Sequence, residues 1–176
     1  RVPLSKEDKQ LIFLGLEECE RMKALLRNMR DFNKPSSELK ASFNIEQSID
    51  NILTFQDKYF KSNKIRLIKK YNLYFPEIIA IEDQITQVFI NIVINAAAAI
   101  PDQGGTITVA TDIVDSNHIS IEISDNGVGI SKENQKRIFE PFYSTKDDGE
   151  GTGLGLTVSY GIIQNHGGHI RCESEL

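Results

Sequence analysis

One stretch of the chain, residues 83–100, constrains the fold most because it is apolar on nearly every side of a helix. It begins near Asp83 and ends at Ile100, where Pro101 and Gly104-Gly105 stop the pattern. A helix without a wide polar face cannot lie on a protein surface, so we expect other elements to cover it. Its apolar residues are Val88, Phe89, Ile92, Val93, Ile94 and Ala96 to Ala99.

Amide side chains interrupt this helix at steps of four residues, at Gln87, Asn91 and Asn95. Residues four apart share a helix face, so the amides form one stripe. A buried amide destabilises the fold unless it is hydrogen-bonded. The stripe therefore faces a polar ligand, a metal ion or water, or else the amides satisfy backbone groups within the core.

Asp125 stands where an alternating strand, residues 119–124, gives way to the turn Asp125-Asn-Gly-Val-Gly-Ile130. Gly127 and Gly129 permit backbone conformations and close approaches that a Cβ would prevent. A carboxylate at a strand end is a fixed hydrogen-bond acceptor. The segment indicates either a place to hold a ligand or an ordinary loop exit.

A second glycine-rich segment precedes an apolar helix that runs from Leu154 to about His166. Such a loop is an anion site, because its amides can point at phosphate and the helix dipole adds positive potential. It lacks the G-K-[ST] of a Walker loop and does not follow a strand, as a dinucleotide fingerprint must. Taken alone, it is a phosphate loop or a mobile loop. Its glycines are Gly149, Gly151, Gly153 and Gly155.

Residues 5–33 are predicted to form one long helix, capped by Ser5 and ended before Pro35. Its apolar stripe repeats at spacings of three and four, so it packs on a second helix or chain, or on the following domain. The stripe consists of Ile12, Leu16, Cys19, Met22, Leu26 and Met29.

The elements after Pro35 are short. Asn44 and Gln47 resemble a capping box that opens a helix to about Phe60. We predict strands at 65–71 and 78–81, a hairpin of 106–112 and 118–124 turned at 115–117, and a short helix capped by Ser131.

Composition bounds the class of protein. The chain has 176 residues, 40% of them hydrophobic, which suits one globular domain with an extra element. It has no apolar run of about 18 residues, and its first residues are not expected to be a signal peptide. A net charge of −5 argues against nucleic acid as a partner. Cys19 and Cys172 are too far apart in sequence to indicate a metal cluster or disulfide framework, and are interpreted as plain thiols in a reducing cytoplasm.

Four segments follow one another along the chain: N-I-V-I-N at 91–95, D-N-G-V-G-I at 125–130, I-F-E-P-F at 138–142 and G-T-G-L-G-L at 151–156. In this order they resemble the N, G1, F and G2 boxes of the catalytic, ATP-binding domain of sensor histidine kinases. The superfamily also includes gyrase, Hsp90 and MutL. The resemblance covers 41–173, and residues 159–170 are similar to the ending of nitrogen-regulator sensors. It implies an α/β (α+β) two-layer sandwich, a mixed sheet covered by three helices, preceded by one long dimerisation helix.

The resemblance implies ATP and Mg²⁺ as cofactors and gives the boxes their roles. Asp125 would accept a hydrogen bond from the adenine amino group, and Asn95 would ligate Mg²⁺ through its amide oxygen. Asn91, the implied catalytic residue, stands where hydrolysing relatives carry a glutamate. An amide is no base at neutral pH, so the site would present the γ-phosphate to a protein acceptor. The remaining implied ATP-binding residues are Gly127, Gly129 and Ile130 at the base and ribose, Gly151, Thr152, Gly153, Leu154 and Gly155 at the phosphates, Lys146 as a point charge, and Phe139 and Phe142 as lid anchors.

Two departures qualify the resemblance. Many kinases of the family carry a lysine or arginine where this chain has Ala96 to Ala99, and Lys146 is the substitute that we predict. No His-Glu-x-x-Asn-Pro-like or His-Asp-x-x-Asn-Pro-like segment occurs, so the phosphoacceptor histidine is expected outside the chain. His118, His166 and His169 are interpreted as surface or packing residues.

The implied domains are 1–35, part of the second helix of the dimerisation and phosphoacceptor hairpin, 36–40, a linker, and 41–176, the catalytic domain, without the last strand such domains usually have. Implied partners are a second copy, through the N-terminal helix, and the receiver domain of a response regulator; nucleic acid and membrane contact are not expected. The expected location is cytoplasmic, and membrane anchoring of the full-length parent is left open.

The implied reaction is γ-phosphoryl transfer to the hairpin histidine, for relay to an aspartate of the regulator. Alternatives are an ATPase acting as a conformational clamp, or a non-enzymatic nucleotide-sensing or dimerisation module.

Overall fold

The computed structural model describes residues 12, 13, 15, 39–146 and 151–176. The chain divides into two units, Arg1–Ser36 and Ser37–Leu176, of which the second is described below. The helix predicted over 5–33 and most of the predicted linker lie outside the described residues, although Ile12, Phe13 and Gly15 are helical.

The second unit contains strands and helices close to the predicted positions. In chain order they are β1 (Ala41–Phe43), α1 (Ile45–Phe55), α2 (Asp57–Ser62), β2 (Ile65–Lys70), β3 (Ile78–Ala80), α3 (Glu82–Ala99), β4 (Gly105–Ile113), β5 (Ile119–Asp125), α4 (Lys132–Gln135) and α5 (Gly155–Asn165). Within the described ranges, no helix has the length and apolarity needed to cross a membrane.

The strands form a two-stranded sheet and a three-stranded sheet. In the first, β1 pairs antiparallel with β3. In the second, β4 lies between a parallel partner, β2, and an antiparallel partner, β5. The predicted α/β architecture with a mixed sheet is therefore confirmed, while β1 was not predicted. Because Ile107 pairs with Asp125, the end of β5 lies near the start of β4.

The core lies between the helices and the three-stranded sheet. Ile49 of α1 and Val93 of α3 are each 1% exposed, and Ile107 of β4 is 0% exposed. The prediction that α3 is buried holds for most of its faces. It is wrong for one, because Ile94 is 46% exposed and Ala98 is also exposed.

Side-chain caps fix two helix starts as predicted. The amide oxygen of Asn44 accepts the N–H of Gln47 at 3.0 Å, and the hydroxyl of Ser131 accepts the N–H of Asn134 at 3.3 Å. The helix predicted to reach Phe60 instead ends at Phe55, which is 84% exposed. After this break α2 begins, and it carries Phe60 into the core at 2% exposure. A new helix after this break thus accompanies the burial of the second phenylalanine.

Candidate functional site

The turn after β5 is held in shape by its own polar side chains. One carboxylate oxygen of Asp125, Oδ1, accepts the N–H of Gly127 at 2.9 Å. The amide oxygen of Asn126 accepts the N–H of Thr106 at 2.6 Å, which ties the turn to the start of β4. Asp125 is exposed, so its carboxylate is presented at the surface in a fixed orientation.

Both glycines of this turn stand where a side chain would not fit. A Cβ on Gly127 would lie 2.5 Å from the carbonyl oxygen of Ala99, at the end of α3. That same carbonyl accepts the N–H of Val128 at 3.0 Å. Gly129 has a φ of 75° and packs against the backbone of Glu175. The turn is therefore clamped between the end of α3 and the C-terminal segment.

The amide stripe of α3 is largely paired inside the protein. Gln87 donates to the amide oxygen of Asn91 at 3.0 Å. The amide nitrogen of Asn91 donates to the carbonyl of Gly155 at 3.0 Å and to the hydroxyl of Ser159 at 3.2 Å. For Gln87 and Asn91, the structure therefore favours the alternative of internal pairing.

Asn95 differs from the other members of the stripe. It is half-buried, and the described residues provide no hydrogen bond to its side chain. It lies one turn beyond Asn91, towards the end of α3 that packs on Gly127. Asn95 is thus the member of the stripe whose side chain makes no hydrogen bond within the described residues, which leaves its amide oxygen available to a ligand.

The second glycine segment opens α5 next to Asn91. Gly153 has a φ of 65°, and its carbonyl accepts the N–H of Phe142 at 3.0 Å. A Cβ on Gly155 would lie 3.6 Å from Cγ of Asn91. Leu154 is the N-cap of α5, and its apolar side chain makes no capping hydrogen bond. The first amides of α5 therefore keep the potential to bind an anion.

The two phenylalanines predicted to anchor the lid differ in their contacts. Phe139 packs on Tyr160 of α5, with ring centroids 5.5 Å apart, and its carbonyl accepts the hydroxyl of Thr157 at 3.1 Å. Phe142 has a φ of 63°, and 69% of its surface is exposed. Its backbone N–H donates to the carbonyl of Gly153 while its ring is largely exposed, so anchoring of the lid by either phenylalanine stays a prediction.

Lys146 lies in the exposed segment between Phe142 and the glycines. Its backbone N–H donates to the hydroxyl of Ser144 at 3.2 Å. A Cβ on Gly151 would collide with that same hydroxyl, so Ser144 brings Lys146 and Gly151 together. Residues 147–150, including Gly149, lie outside the described part of the chain.

Residues that the sequence did not indicate complete the support of the Asp125 turn. Ser174 accepts the N–H of Ile130 at 2.9 Å. Gln135 donates both to the carbonyl of Ile130 at 2.6 Å and to that of Ser174 at 2.8 Å. A single serine or glutamine carries no pattern, so no sequence signal identifies these contacts.

Cys172 lies in the same C-terminal segment and is half-buried. Burial raises the pKa of its thiol, and the negative charges of Asp125 and Glu173 raise it further. Cys172 is therefore held as the neutral thiol close to the Asp125 carboxylate. The described residues contain no cluster of His, Cys, Asp and Glu suited to a metal ion.

Comparison with known proteins gives concordant results. Residues 80–176 match the family described as histidine kinase-, DNA gyrase B-, and HSP90-like ATPase. Sporulation kinase E of Bacillus subtilis is 48% identical over 100 residues, which are 57% of this chain and 13% of that protein. The sensor histidine kinase ZraS of Salmonella typhi is 33% identical over 174 residues, 99% of this chain and 37% of ZraS. The chain thus spans only a minor part of these relatives.

Solved structures share the fold. The catalytic domain of histidine kinase ThkA superposes with a TM-score of 0.66 at 26% identity, covering 73% of this chain and 82% of that domain. Full-length ShkA in complex with AMPPNP gives a TM-score of 0.77 at 20% identity, covering 98% of this chain and 38% of ShkA. ThkA in complex with the response regulator protein TrrA gives 0.73 at 21% identity, covering 95% of this chain and 47% of that chain.

Proposed function

This chain belongs to the histidine kinase-, DNA gyrase B-, and HSP90-like ATPases, as a sensor histidine kinase ATP-binding domain, and from that premise we propose how it works. It binds ATP with Mg²⁺ and presents the γ-phosphoryl group to a histidine of the dimerisation hairpin. The phosphoryl group then passes to an aspartate of a response regulator.

One observation carries the proposal: α3 contacts both glycine segments. Its end packs against Gly127 and receives the N–H of Val128, while Asn91 in its middle binds the carbonyl of Gly155. The Asp125 turn and the loop that opens α5 are therefore held along one helix. This arrangement suits an elongated ligand that has a polar ring at one end and phosphates at the other.

The adenine end is assigned to Asp125. Its Oδ1 is occupied by the N–H of Gly127, which leaves Oδ2 to accept a hydrogen bond from the exocyclic amino group. The missing side chains of Gly127 and Gly129 let the turn pack against Ala99 and Glu175, and the backbone held in this way would face the base and ribose. The bond from Gln135 to Ile130 keeps this turn from shifting when the base enters.

The phosphate end is assigned to residues 151–155 and the first turn of α5. Backbone amides and the helix dipole bind phosphate there, and we keep Lys146 as the candidate for an added positive charge. Asn95 fits Mg²⁺ in its chemistry, because it is a half-buried neutral oxygen donor without a described hydrogen-bond partner. When bound, Mg²⁺ would neutralise part of the triphosphate charge.

Asn91 makes the site suited to transfer instead of hydrolysis. Its amide cannot remove a proton from water, and its pairing with Gln87 and Gly155 fixes its orientation. Positioning of donor and acceptor supplies most of the catalysis in such transfers. His166 is unsuited as the acceptor because both of its ring nitrogens are already hydrogen-bonded.

The domain assignment and the partners are part of the same proposal. We assign residues 1–35 to the dimerisation hairpin, 36–40 to a linker and 41–176 to the catalytic domain, and the division at Ser36/Ser37 supports this boundary. A second copy would bind through the hairpin. A response regulator is proposed as the other partner, supported by the complex known for ThkA.

Calorimetry and radiolabelled ATP test the proposal together. We expect the 176-residue chain to bind ATP in the presence of Mg²⁺ but to acquire no acid-labile phosphate. In the full-length protein, we expect acid-labile, base-stable phosphate on a histidine outside this chain. Mutation of that histidine to glutamine should abolish labelling and leave ATP binding unchanged.

The alternatives predict different outcomes. Steady release of inorganic phosphate by the purified chain would favour an ATPase that acts as a clamp. Absence of ATP binding would favour a non-enzymatic module and refute the proposal. Acid-labile phosphate on the chain itself would contradict the assignment of the acceptor to another segment.

A further inference from the structure

His166 connects two helices through its two ring nitrogens. At Nε2 it accepts the N–H of Ile81 at 3.1 Å, and at Nδ1 it lies 2.8 Å from the carbonyl oxygen of Ile162. A nitrogen that accepts an N–H carries no proton, so the ring proton lies on Nδ1 and is donated to Ile162. The ring thus has a local bond within α5 and a long-range bond to the start of α3.

The position of this ring is fixed by the way α5 ends. Gly167 has a φ of 78° and donates its N–H to Gln164 at 2.9 Å, while Gly168 donates to Ile163 at 2.9 Å. These two bonds form a Schellman motif, in which His166 is the C-cap. The two glycines of the His-Gly-Gly sequence therefore hold His166 against its partner.

The N–H of Ile81 has a particular need for this partner. Ile81 is the N-cap of α3 and is 6% exposed, and its N–H stands before the helix, so no backbone carbonyl of α3 can accept it. A buried N–H left without an acceptor destabilises a fold more than a single hydrogen bond stabilises it. His166, at the end of another helix, supplies the acceptor that the backbone of α3 cannot provide.

Two polar contacts thus connect α3 and α5. Asn91 binds the N-terminal part of α5 at Gly155 and Ser159, and Ile81 binds the C-cap of α5, His166. The pairs run in opposite directions along the chain, so the helices are antiparallel. Given the rise of a helix, the contacts lie on the order of 10–15 Å apart. Contacts at two such separated points prevent one helix from sliding along the other.

We propose that His166 is a positioning residue for ATP: its bond to Ile81 holds α5 in register with α3, and so places the phosphate loop opposite Asn95. The inference rests on the proposed function. Without the Ile81 bond, α5 can shift, and ATP must then select the aligned arrangement from several. Loss of the Ile81 bond should weaken the binding of the phosphates and not of the base, because Gln135 and Ser174 hold the Asp125 turn separately.

Two conservative substitutions separate the two bonds of His166. In His166→Gln, the side-chain amide reaches the place of Nε2 and keeps an acceptor for Ile81. In His166→Asn, the shorter amide reaches only the place of Nδ1 and keeps the donor to Ile162. Gln164→Asn, on the exposed end of the same helix, is the matched control.

The readouts are the affinities for ATP and for adenosine, measured on the 176-residue chain with Mg²⁺ at pH 8. We expect His166→Asn to weaken ATP binding about tenfold, while His166→Gln stays within about threefold of the parent. Adenosine affinity should remain unchanged in all variants. Equal ATP affinity in the Asn and Gln variants, or parallel losses for ATP and adenosine, would overturn the positioning role.

A measurement on the unmodified chain does not depend on the variants folding. Nitrogen-15 spectra of His166 should show an unprotonated Nε2 and a protonated Nδ1, and the amide of Ile81 should exchange slowly with solvent. The opposite tautomer or rapid exchange at Ile81 would refute the helix contact even if ATP binds normally. If the unmodified chain binds no ATP, the proposed function falls, and the positioning role falls with it.

Discussion

The two carboxylate oxygens of Asp125 have different hydrogen-bond partners in our assignment. Its Oδ1 holds the Gly127 amide, and Oδ2 is the oxygen that we assign to adenine. The side chain is exposed and contributes little to the core, so its chemistry can be altered without loss of the fold.

We expect Asp125→Asn to weaken ATP binding by about 1–3 kcal/mol. The amide oxygen of the introduced asparagine would still accept the Gly127 N–H, so its NH₂ group would point towards the adenine amino group. Two hydrogen-bond donors would then face each other. Asp115→Asn is the matched control, because Asp115 accepts the N–H of Asn117 in the turn at the other end of the same hairpin. Equal affinities of the two variants in calorimetry would contradict the adenine assignment.

Cys172 yields a prediction about reactivity. Burial and then the charges of Asp125 and Glu173 raise its pKa, so the thiolate fraction at pH 8 is lower than for a free thiol. We expect iodoacetamide to modify Cys172 more slowly in the native chain than in urea, and the native rate to rise only at higher pH. Mass spectrometry resolves Cys172 from Cys19, and equal native and unfolded rates would exclude the effect.

At the scale of elements, the loop that opens α5 depends on one backbone conformation. Gly153 has a φ of 65°, and a Cβ there would collide with the backbone of Phe142. The carbonyl of Gly153 also accepts the Phe142 N–H, and this hydrogen bond joins the loop to the segment around Phe142.

Gly153→Ala should therefore abolish ordered closure of the loop and weaken ATP binding at least tenfold, since the left-handed conformation alone costs alanine about 1–2 kcal/mol. The matched control is Gly161→Ala within α5, where a Cβ meets nothing within 4 Å. That variant should gain about 0.5–1 kcal/mol in free energy of unfolding and bind ATP normally. Denaturant titration and calorimetry measure both effects, and normal ATP affinity in Gly153→Ala would refute the role of this glycine.

The elements with strong local signals were predicted well. The helix predicted at 83–100 is α3 at Glu82–Ala99, and both predicted caps, Asn44 and Ser131, make their bonds. Apolar periodicity and capping act within a few residues, so the sequence contains them directly. The three-residue strand β1 is too short to give a period, and it forms because β3 is there to pair with it.

Contacts between distant segments were beyond sequence reasoning. The identity of the glycine and asparagine segments was predicted, but the pairing of Gln87 with Asn91 and of Asn91 with Gly155 depends on how α3 meets α5. The same holds for Ser174 beneath the Asp125 turn. The exposed ring of Phe142 follows from a backbone conformation that no residue pattern indicates.

At the scale of the whole molecule, α3 joins the core to the site. Its buried face includes Val93, which is 1% exposed, while Asn91 and Asn95 on another face meet the loop or remain available to ligand. The same helix therefore packs in the core with one face and lines the proposed ligand site with another. Any ligand that binds only the folded chain must raise the free energy of unfolding of the whole domain.

This linkage gives a test of the Mg²⁺ site at Asn95. ATP at a hundred times its Kd should stabilise the chain by about 2.7 kcal/mol, and Mg²⁺ should add to the ATP effect by increasing affinity. In Asn95→Ala, the stabilisation by ATP with chelator should persist and the increment from Mg²⁺ should disappear, because the amide oxygen that we assign to the ion is gone. Asn51→Ala, at an exposed position of α1, removes the same group elsewhere and should retain the full increment. Thermal melts with ATP and either Mg²⁺ or chelator measure these differences; an undiminished Mg²⁺ increment in Asn95→Ala would show that the ion is held by other groups.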